Sequence, residues 1–543
     1  MKIVGFHDGH DVSYSILENG VPIIHEELER FNRKKMSYGD GLQMFFDHNK
    51  ETDIKYFTHG NPGGRHHMIN RNLGENPLEY DKKRETLEKL NNGKYYVIGH
   101  HQSHAAAAFY TSNFNKSLII TLDGDGNEKI DPNKYLDTWQ PGKVLSTGFT
   151  IWEGNGTKIE RIHMESSYNF SIGWLWHLAT AKIFGLSIGE PHGHQAGTVM
   201  AMATIGDPDK YFSFFKNQCN CKPNIDWDYW KNIAQKSEQD AFDIAASIQK
   251  ASEEQFKEKI TPFIKKYEGH SLCFSGGASL NAILMGKIFD WFPTIKNIHC
   301  DPIPYDGGLS LGSSLYLYHH ILNHPRTEWK DNFSSYLGRT YSLQDVKDSI
   351  TKIKNIDKLN IKENVKDEEV IQLLCDQKII CVFGGGSESG RRALGNRSIL
   401  ADPRSDKMKD IINKKVKHRQ WFRPFAPSIL REEVKNWFEK DIDSPYMSFI
   451  IKFKEEVKSK IPAVVHLNGT GRLQTVTENN NSWYYNFIKK FKEKTGVPIL
   501  LNTSFNDREP IVETPDHAIN CFKRTQIDYL YFRDYGILIG KNK

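Results

Sequence analysis

Apolar residues come in short runs punctuated by glycine and polar turns. Lys2–Phe6 reads as an apolar strand, the polar turn Asp8-Gly9-His10-Asp11 follows, and Val12–Leu17 alternates as a second strand. Asn19-Gly20 is a strong hairpin signal leading to a third strand, Val21–Ile24. His100–Tyr110 is Ala-rich and predicts a helix, and Leu118–Leu122 predicts a buried strand ending in Asp123-Gly124-Asp125-Gly126. Leu272–Phe274 predicts a short strand ending in Ser275-Gly276-Gly277, with a helix through Asn281, and Asp306-Gly307-Gly308 opens a helix to about Ile321. This alternation predicts an α/β domain over roughly the first 340 residues.

Residues 325–365 are charged and weakly patterned, which places a boundary there and gives domains of 1–345 and 346–543. The second domain continues the α/β theme. Glu369–Leu374 predicts a helix, Ile379–Phe383 a strand closed by Gly384–Gly386, and Ser405–Lys417 a basic helix. Ile499–Leu501 predicts a strand running into Asn502-Thr503-Ser504-Phe505-Asn506, and Thr514-Pro515 a capped helix start.

A chain of 543 residues is too long for one core. Hydrophobic residues at 38% and aromatics at 12% are enough for globular cores, and no apolar run is long enough to span a bilayer. The mean hydropathy of −0.58 points the same way. The N-terminus has charge where a signal peptide needs an apolar stretch. Seven scattered cysteines favour free thiols and a reducing cytoplasm, and the one close pair, Cys219 and Cys221, reads as loop residues. With 72 basic and 67 acidic side chains the net charge is +5, which neither demands a polyanionic partner nor excludes one.

Four constellations carry chemistry. On a helix, His100 and His104 share one face, as two metal ligands must, and Asp123 and Asp306 are carboxylates placed to complete a set for iron(II), zinc or manganese. From spacing alone, an ordinary exposed His-rich turn is the stronger reading. Gly276, Gly277 and Asn281 form a glycine turn before a helix, where a nucleotide can lie against the backbone, although such turns are often only tight connections. Gly390–Ser398 brackets Arg391 and Arg392 with glycines near an expected helix start, a pattern for gripping phosphate or a solvated basic turn. Val416–Pro427 interleaves Lys417 and Arg423 with aromatics and prolines. With Arg472, Ser504 and Asn506 downstream, this favours a pocket for a small anion over a membrane- or RNA-binding surface or plain packing. There is no GxxxxGK[ST] loop, kinase signature or hydrolase elbow.

At GRRALGNRSILADPR, VKHRQWFRPFAP and LNTSFN the chain resembles the carbamoyltransferase family that includes nodulation protein U and the tobramycin and cephalosporin O-carbamoyltransferases. The resemblance spans nearly the whole chain. It implies an N-terminal actin-like ATPase domain, similar to the tRNA threonylcarbamoyl-transfer enzyme, with metal ligands at His100, His104 and Asp306 and with Asp123 nearby. It implies a C-terminal YrdC-like domain that forms carbamoyl-adenylate from carbamoyl phosphate and ATP. Lys417, Arg423, Arg472, Ser504 and Asn506 would bind these substrates, and Arg392 the nucleotide. Iron(II) is the metal expected first and zinc second, with magnesium accompanying ATP. The base for the acceptor hydroxyl is left open among His10, Asp11 and a metal-bound group. The chain departs from the family at Gly386-Ser387, where arginine-methionine is usual, and at Arg391, where proline is usual.

The expected function is therefore ATP-dependent O-carbamoyl transfer to a hydroxyl of a small molecule, sugar or modified nucleoside, in biosynthesis. A hydroxymethylated base in DNA is the alternative acceptor. The competing readings are an actin-like sugar kinase and a non-catalytic nucleotide-binding scaffold. A homodimer is left open, and no membrane partner is expected.

Overall fold

The computed structural model describes residues 1–50, 53–61, 95–133, 142–186, 195–295, 297–353 and 359–541. Its contacts divide into two compact units, Met1–Trp329 and Lys330–Lys543. Both are α/β with mixed sheets. Among the described residues no helix is long and apolar enough to cross a membrane.

The first unit holds two five-stranded sheets. One contains β1 (Lys2–His7), β2 (Ser13–Glu18), β3 (Val21–Glu27), β4 (Tyr56–His59) and β5 (Tyr95–Val97), in the order β3-β2-β1-β4-β5. The other contains β6 (Lys116–Lys129), β7 (Val144–Asn155), β8 (Lys158–Ser166), β9 (Ser271–Ser275) and β10 (Ile298–Cys300), in the order β8-β7-β6-β9-β10. The two orders are the same, and so is the pairing sense. In each, the first three strands in chain order pair antiparallel and the last two join in parallel. A duplicated five-stranded arrangement of this kind matches the actin-like expectation, and it is a repeat that residue patterning did not reveal.

The expected hairpins form as read. The strand expected to stop before Asp123 instead runs to Lys129, because a register shift between Leu122 and Gly126 absorbs the Asp-Gly-Asp segment as a bulge. The helix His100–Tyr110 forms over the expected range, and all eleven of its residues are buried. A second helix, Leu309–Leu315, packs against it and against β1. A Cβ at Gly312 would lie 2.0 Å from the Ser103 carbonyl oxygen, so this depth of helix contact admits only glycine.

The second unit is built on one nine-stranded sheet. Its strands are β11 (Leu359–Lys362), β12 (Ile380–Phe383), β13 (Arg397–Ala401), β14 (Ala426–Leu430), β15 (Phe449–Lys452), β16 (Thr470–Val476), β17 (Ile499–Ser504), β18 (Tyr529–Phe532) and β19 (Ile537–Lys541). Their order is β11-β19-β18-β12-β13-β17-β14-β16-β15. The consecutive strands β13, β17, β14 and β16 bring together four segments distant in the chain, with Ser398 opposite Ser504, Ala426 opposite Asn502, and Ser428 opposite Gln474. Two expectations are corrected here. Gly390–Asn396 does not open a helix but leads into β13. The basic helix is shorter than expected, Met408–Ile412, and widens into a π-turn, Asn413–Lys417, closed by His418 in the left-handed region at φ 46°.

Candidate functional site

The sequence-predicted residues fall into two clusters, one in each unit.

In the first unit, the bulge in β6 presents Asp123 to the helix carrying His100 and His104, and the turn opening the Leu309 helix presents Asp306. Asp123 Oδ2 lies 2.8 Å from His100 Nε2 and 3.4 Å from His104 Nε2. Asp306 Oδ1 lies 3.7 Å and 3.8 Å from the same two nitrogens. One donor atom from each of these four residues falls within 4.8 Å of all the others. His100 and His104 are 1% and 0% exposed, so the reading as an exposed His-rich turn is overturned.

His10 and Asp11 join the rim of this cluster. His10 Nε2 is 3.3 Å from Asp306 Oδ2, and His10 Nδ1 is 3.2 Å from Asp11 Oδ2. Asp11 sits at φ 54°, a strained conformation for a residue with a side chain and one that recurs at functional loops. Burial disfavours charge on His10, but Asp306 and the bond to Asp11 outweigh it and raise its pKa to about 9. His104 is likewise raised to about 9, with Asp123 and Asp306 overcoming desolvation. In return, and against the cost of burial, the imidazoles hold both carboxylates below their usual range. His7, which the sequence did not single out, lies 3.9 Å from Asp306 Oδ2.

The cluster fits a divalent cation. Two imidazoles and two carboxylates are the donors such ions take, and among the described residues the buried His104 Nε2 finds no hydrogen-bond partner. Cation binding at such a donor set displaces protons from the imidazoles.

The glycine turn at β9 lies beside this cluster, but its members differ in role. Gly276 has φ 91°, and a Cβ on it would sit 2.1 Å from the Leu122 carbonyl oxygen, so it is the close crossing of β9 and β6 that requires glycine. At Gly277 a Cβ would meet only Asp123 Oδ1, at 3.0 Å. The expected helix through Asn281 is a short 3-10 turn, and Asn281 caps the helix that follows, Ala282–Trp291. Its oxygen accepts from Leu284 N–H, and its amide donates to Gln249 at 2.8 Å.

In the second unit, Asn502 on β17 donates to the Ala393 carbonyl at 3.1 Å and to Gln474 at 2.8 Å, while Gln474 donates to the Leu394 carbonyl. Glu388 binds the other side of the same loop, with Oε1 accepting from the backbone of Leu394 and Asn396 at 2.7 Å each and of Arg397 at 3.2 Å. The Arg391-Arg392 turn is thus braced from both flanks by buried polar groups. At Gly386 a Cβ would lie 2.8 Å from the carbonyl oxygens of Gly338 and Tyr336, which leaves no room for a side chain at this departure from the family pattern.

Arg392 and Arg472 act on each other here, and Arg419 and Arg423 join them. Desolvation, followed by the charges of Arg392, Arg423 and Arg419, pushes Arg472 well below the usual guanidinium range. Desolvation and Arg423 do the same to Arg419, whose ring-like fork stacks on Phe425. Among the described residues the buried Arg472 Nε has no hydrogen-bond partner. His466 is pushed down to about 3 by burial and by Arg472 and Lys409, and so is held neutral. Like charges crowded at one half-buried site suit an anion.

Lys417 has a different setting. Its ammonium donates to the Ser504 carbonyl at 2.6 Å, to the Asn506 carbonyl at 2.9 Å and to Asn506 Oδ1 at 2.7 Å. Ser504 Oγ in turn donates to Asn506 Oδ1 at 2.7 Å. In this structure Lys417 pins the loop after β17.

Comparison with known proteins gives the family. A family model described as "Carbamoyltransferase N-terminus" matches residues 70–315, and one described as "Carbamoyltransferase C-terminus" matches residues 371–538. An uncharacterized protein of Methanocaldococcus jannaschii is 33% identical over 471 residues, covering 83% of this chain and 75% of its own. Nodulation protein NolO of Bradyrhizobium diazoefficiens is 31% identical over 464 residues, covering 82% of this chain and 78% of its own. Among solved structures, HypF of T. kodakarensis is a distant likeness, with a TM-score of 0.37 and 12% identity over 59% of this chain and 47% of its own. The chain belongs to the carbamoyltransferase family and is an enzyme of that class.

Proposed function

We propose that this enzyme is an ATP-dependent O-carbamoyltransferase with a division of labour between its units. In the second unit, carbamoyl phosphate, ATP and water give carbamoyl-adenylate, pyrophosphate and phosphate. In the first, the carbamoyl group passes to an alcohol and AMP leaves. The observation that carries this reading is the crowding of Arg392, Arg419, Arg423 and Arg472, whose mutual repulsion an anionic substrate relieves. Arg423 and Arg472 supply forks for phosphoryl oxygens, and Arg392, held by the braced loop, faces the nucleotide. Neutral His466 beside them tolerates the cations and offers a hydrogen bond.

In the first unit, His100, His104, Asp123 and Asp306 would hold a divalent cation, for which iron(II) and zinc both suit the donors. When bound it supplies Lewis acidity toward the carbamoyl oxygen and neutralises Asp306, the carboxylate that keeps His10 protonated. His10, one-third exposed at the rim and held through Nδ1 by Asp11, would take the acceptor hydroxyl's proton. The adenylate would lie against the backbone at Gly277, beside Asp123.

The acceptor is an alcohol of a small molecule, sugar or nucleoside. A hydroxymethylated base in DNA is the alternative acceptor. The test is an incubation with ATP and carbamoyl phosphate, scored for pyrophosphate. Pyrophosphate release that depends on carbamoyl phosphate supports the proposal. ADP would indicate a kinase, and the absence of turnover a scaffold.

A further inference from the structure

Behind His104, on the side away from the carboxylates, lies a buried chain of polar groups that none of the roles above uses. We propose that Ser275 and Asp301 form a positioning relay: Asp301 orients the Ser275 hydroxyl, and Ser275 fixes which ring nitrogen of His104 faces the cation. The inference rests on the reading that the histidine–carboxylate cluster holds a divalent cation.

The placement follows from the sheet. β9 and β10 pair in parallel with Phe274 opposite Cys300, so Ser275 and Asp301 are the next residues of neighbouring strands, and Asp301 N–H donates to the Phe274 carbonyl at 2.9 Å. Ser275 and Asp301 are 0% and 1% exposed. Asp301 Oδ1 accepts from Ile303 N–H at 2.9 Å, and Oδ2 accepts from the Ser275 hydroxyl at 2.7 Å.

A serine hydroxyl has one hydrogen, and here it is spent on Asp301. Toward His104 Nδ1, 3.2 Å away, Ser275 Oγ therefore acts as acceptor, and Nδ1 carries the proton. That leaves Nε2, which faces Asp123 and Asp306, as the nitrogen with a lone pair to give. An outer partner that fixes the tautomer and ring orientation of a metal-bound histidine raises its affinity for the ion. Among the described residues His100 has no such partner, since its buried Nδ1 makes no hydrogen bond with them. The relay thus singles out His104 as the preorganised ligand. It also gives a reason for a carboxylate at a site where burial alone is costly.

The experiment uses the full chain stripped of metal. Zinc is titrated against a chromophoric chelator at one pH for the parent, Ser275→Ala, Ser275→Thr, Asp301→Asn and the Ser275→Ala/Asp301→Asn double variant. Thermal midpoints of the metal-free samples confirm folding. Ser275→Ala should weaken zinc binding by about 10- to 100-fold, the usual effect of losing such a partner, and Ser275→Thr should retain near-parent affinity. In Asp301→Asn, the amide that keeps Ile303 satisfied turns its NH₂ toward Ser275. The hydroxyl hydrogen then goes to His104 Nδ1 and the proton moves to Nε2, so a similar loss is expected. The double variant should be no worse than Ser275→Ala, because both changes act through one hydroxyl. Folded Ser275→Ala or Asp301→Asn protein that binds zinc like the parent overturns the relay and leaves the metal centre standing, and so do losses that add in the double variant. A parent that binds no zinc overturns the centre and the relay together. If Ser275→Ala does not fold, the isosteric Asp301→Asn carries the test.

Discussion

Lys417 donates to Asn506 twice, 2.7 Å to the side-chain oxygen and 2.9 Å to the main-chain carbonyl, and so ties the π-turn after the Met408 helix to the loop after β17. Removing it strips a charged donor from buried acceptors. Lys417→Ala should destabilise the protein by about 1–3 kcal/mol and abolish pyrophosphate exchange into ATP, since the loop that carries Ser504 and Asn506 is released. Arg423→Ala should behave differently. It should lower exchange by roughly 10- to 100-fold while stability stays level or rises, because one of several crowded cations is gone. Thermal midpoints and exchange rates on the two variants separate the roles. Equal loss of stability in both would count against this assignment.

The arginine cluster should make stability depend on anions. Inorganic phosphate or carbamoyl phosphate should raise the parent's thermal midpoint, by about 2.7 kcal/mol of stabilisation when the ligand is present at a hundred times its Kd. An Arg423→Ala/Arg472→Ala double variant should lose that response while responding normally to ligands of the first unit. A thermal-shift series with chloride as the control at matched ionic strength makes the comparison.

The two glycines after β9 should respond unequally to alanine. Gly276→Ala forces a Cβ to 2.1 Å from the Leu122 carbonyl in a left-handed backbone and should cripple folding. Gly277→Ala meets only Asp123 Oδ1 at 3.0 Å. It should fold, keep pyrophosphate release and lose carbamoyl transfer as Asp123 is displaced. Product mass and pyrophosphate measured on the same sample would show the uncoupling.

Burial pushes Asp301 up to about 6, against the opposing bonds from Ile303 and Ser275. The folded state therefore holds this proton more tightly than the unfolded chain does. The resulting stability is fully present below the unfolded carboxyl's pKa of 3.8 and is lost as pH rises to about 6. Asp301→Asn has no such titration. In metal-free protein the stability of this variant relative to the parent should climb between pH 4 and 6, by on the order of 3 kcal/mol, and level off above. Urea midpoints across that range give the measurement, and a flat difference would rule out the buried titration.

Much of the local structure was legible in the residues. The hairpins at Asp8–Asp11 and Asn19-Gly20, the helix His100–Tyr110 and the cap at Thr514 follow from alternation, helix propensity and turn chemistry acting over a few residues. So does the shared face of His100 and His104, since i and i+4 coincide on any α-helix. The motif residues Arg392, Lys417, Arg423, Arg472, Ser504 and Asn506 stood out as candidates, and strand pairing in one sheet brings segments so far apart in the chain together.

What only the tertiary structure decided were the pairings and the burial. Histidine and arginine are amphipathic, so periodicity alone cannot say whether the His100 helix faces water; packing by β6, β9 and the Leu309 helix removes it from solvent. Asp123 points at the histidines because a bulge carries β6 on through a glycine-rich segment that reads locally as a strand end. Lys417 spends its donors on Ser504 and Asn506, and Ser275 finds Asp301, because sheet order sets which distant side chains meet. The repeated strand order of the two sheets in the first unit lies at the same level. Chain-local physics specifies which elements form, while desolvation and the hydrogen-bonding of strands far apart in sequence specify which charges share a pocket, and the chemistry depends on that second choice.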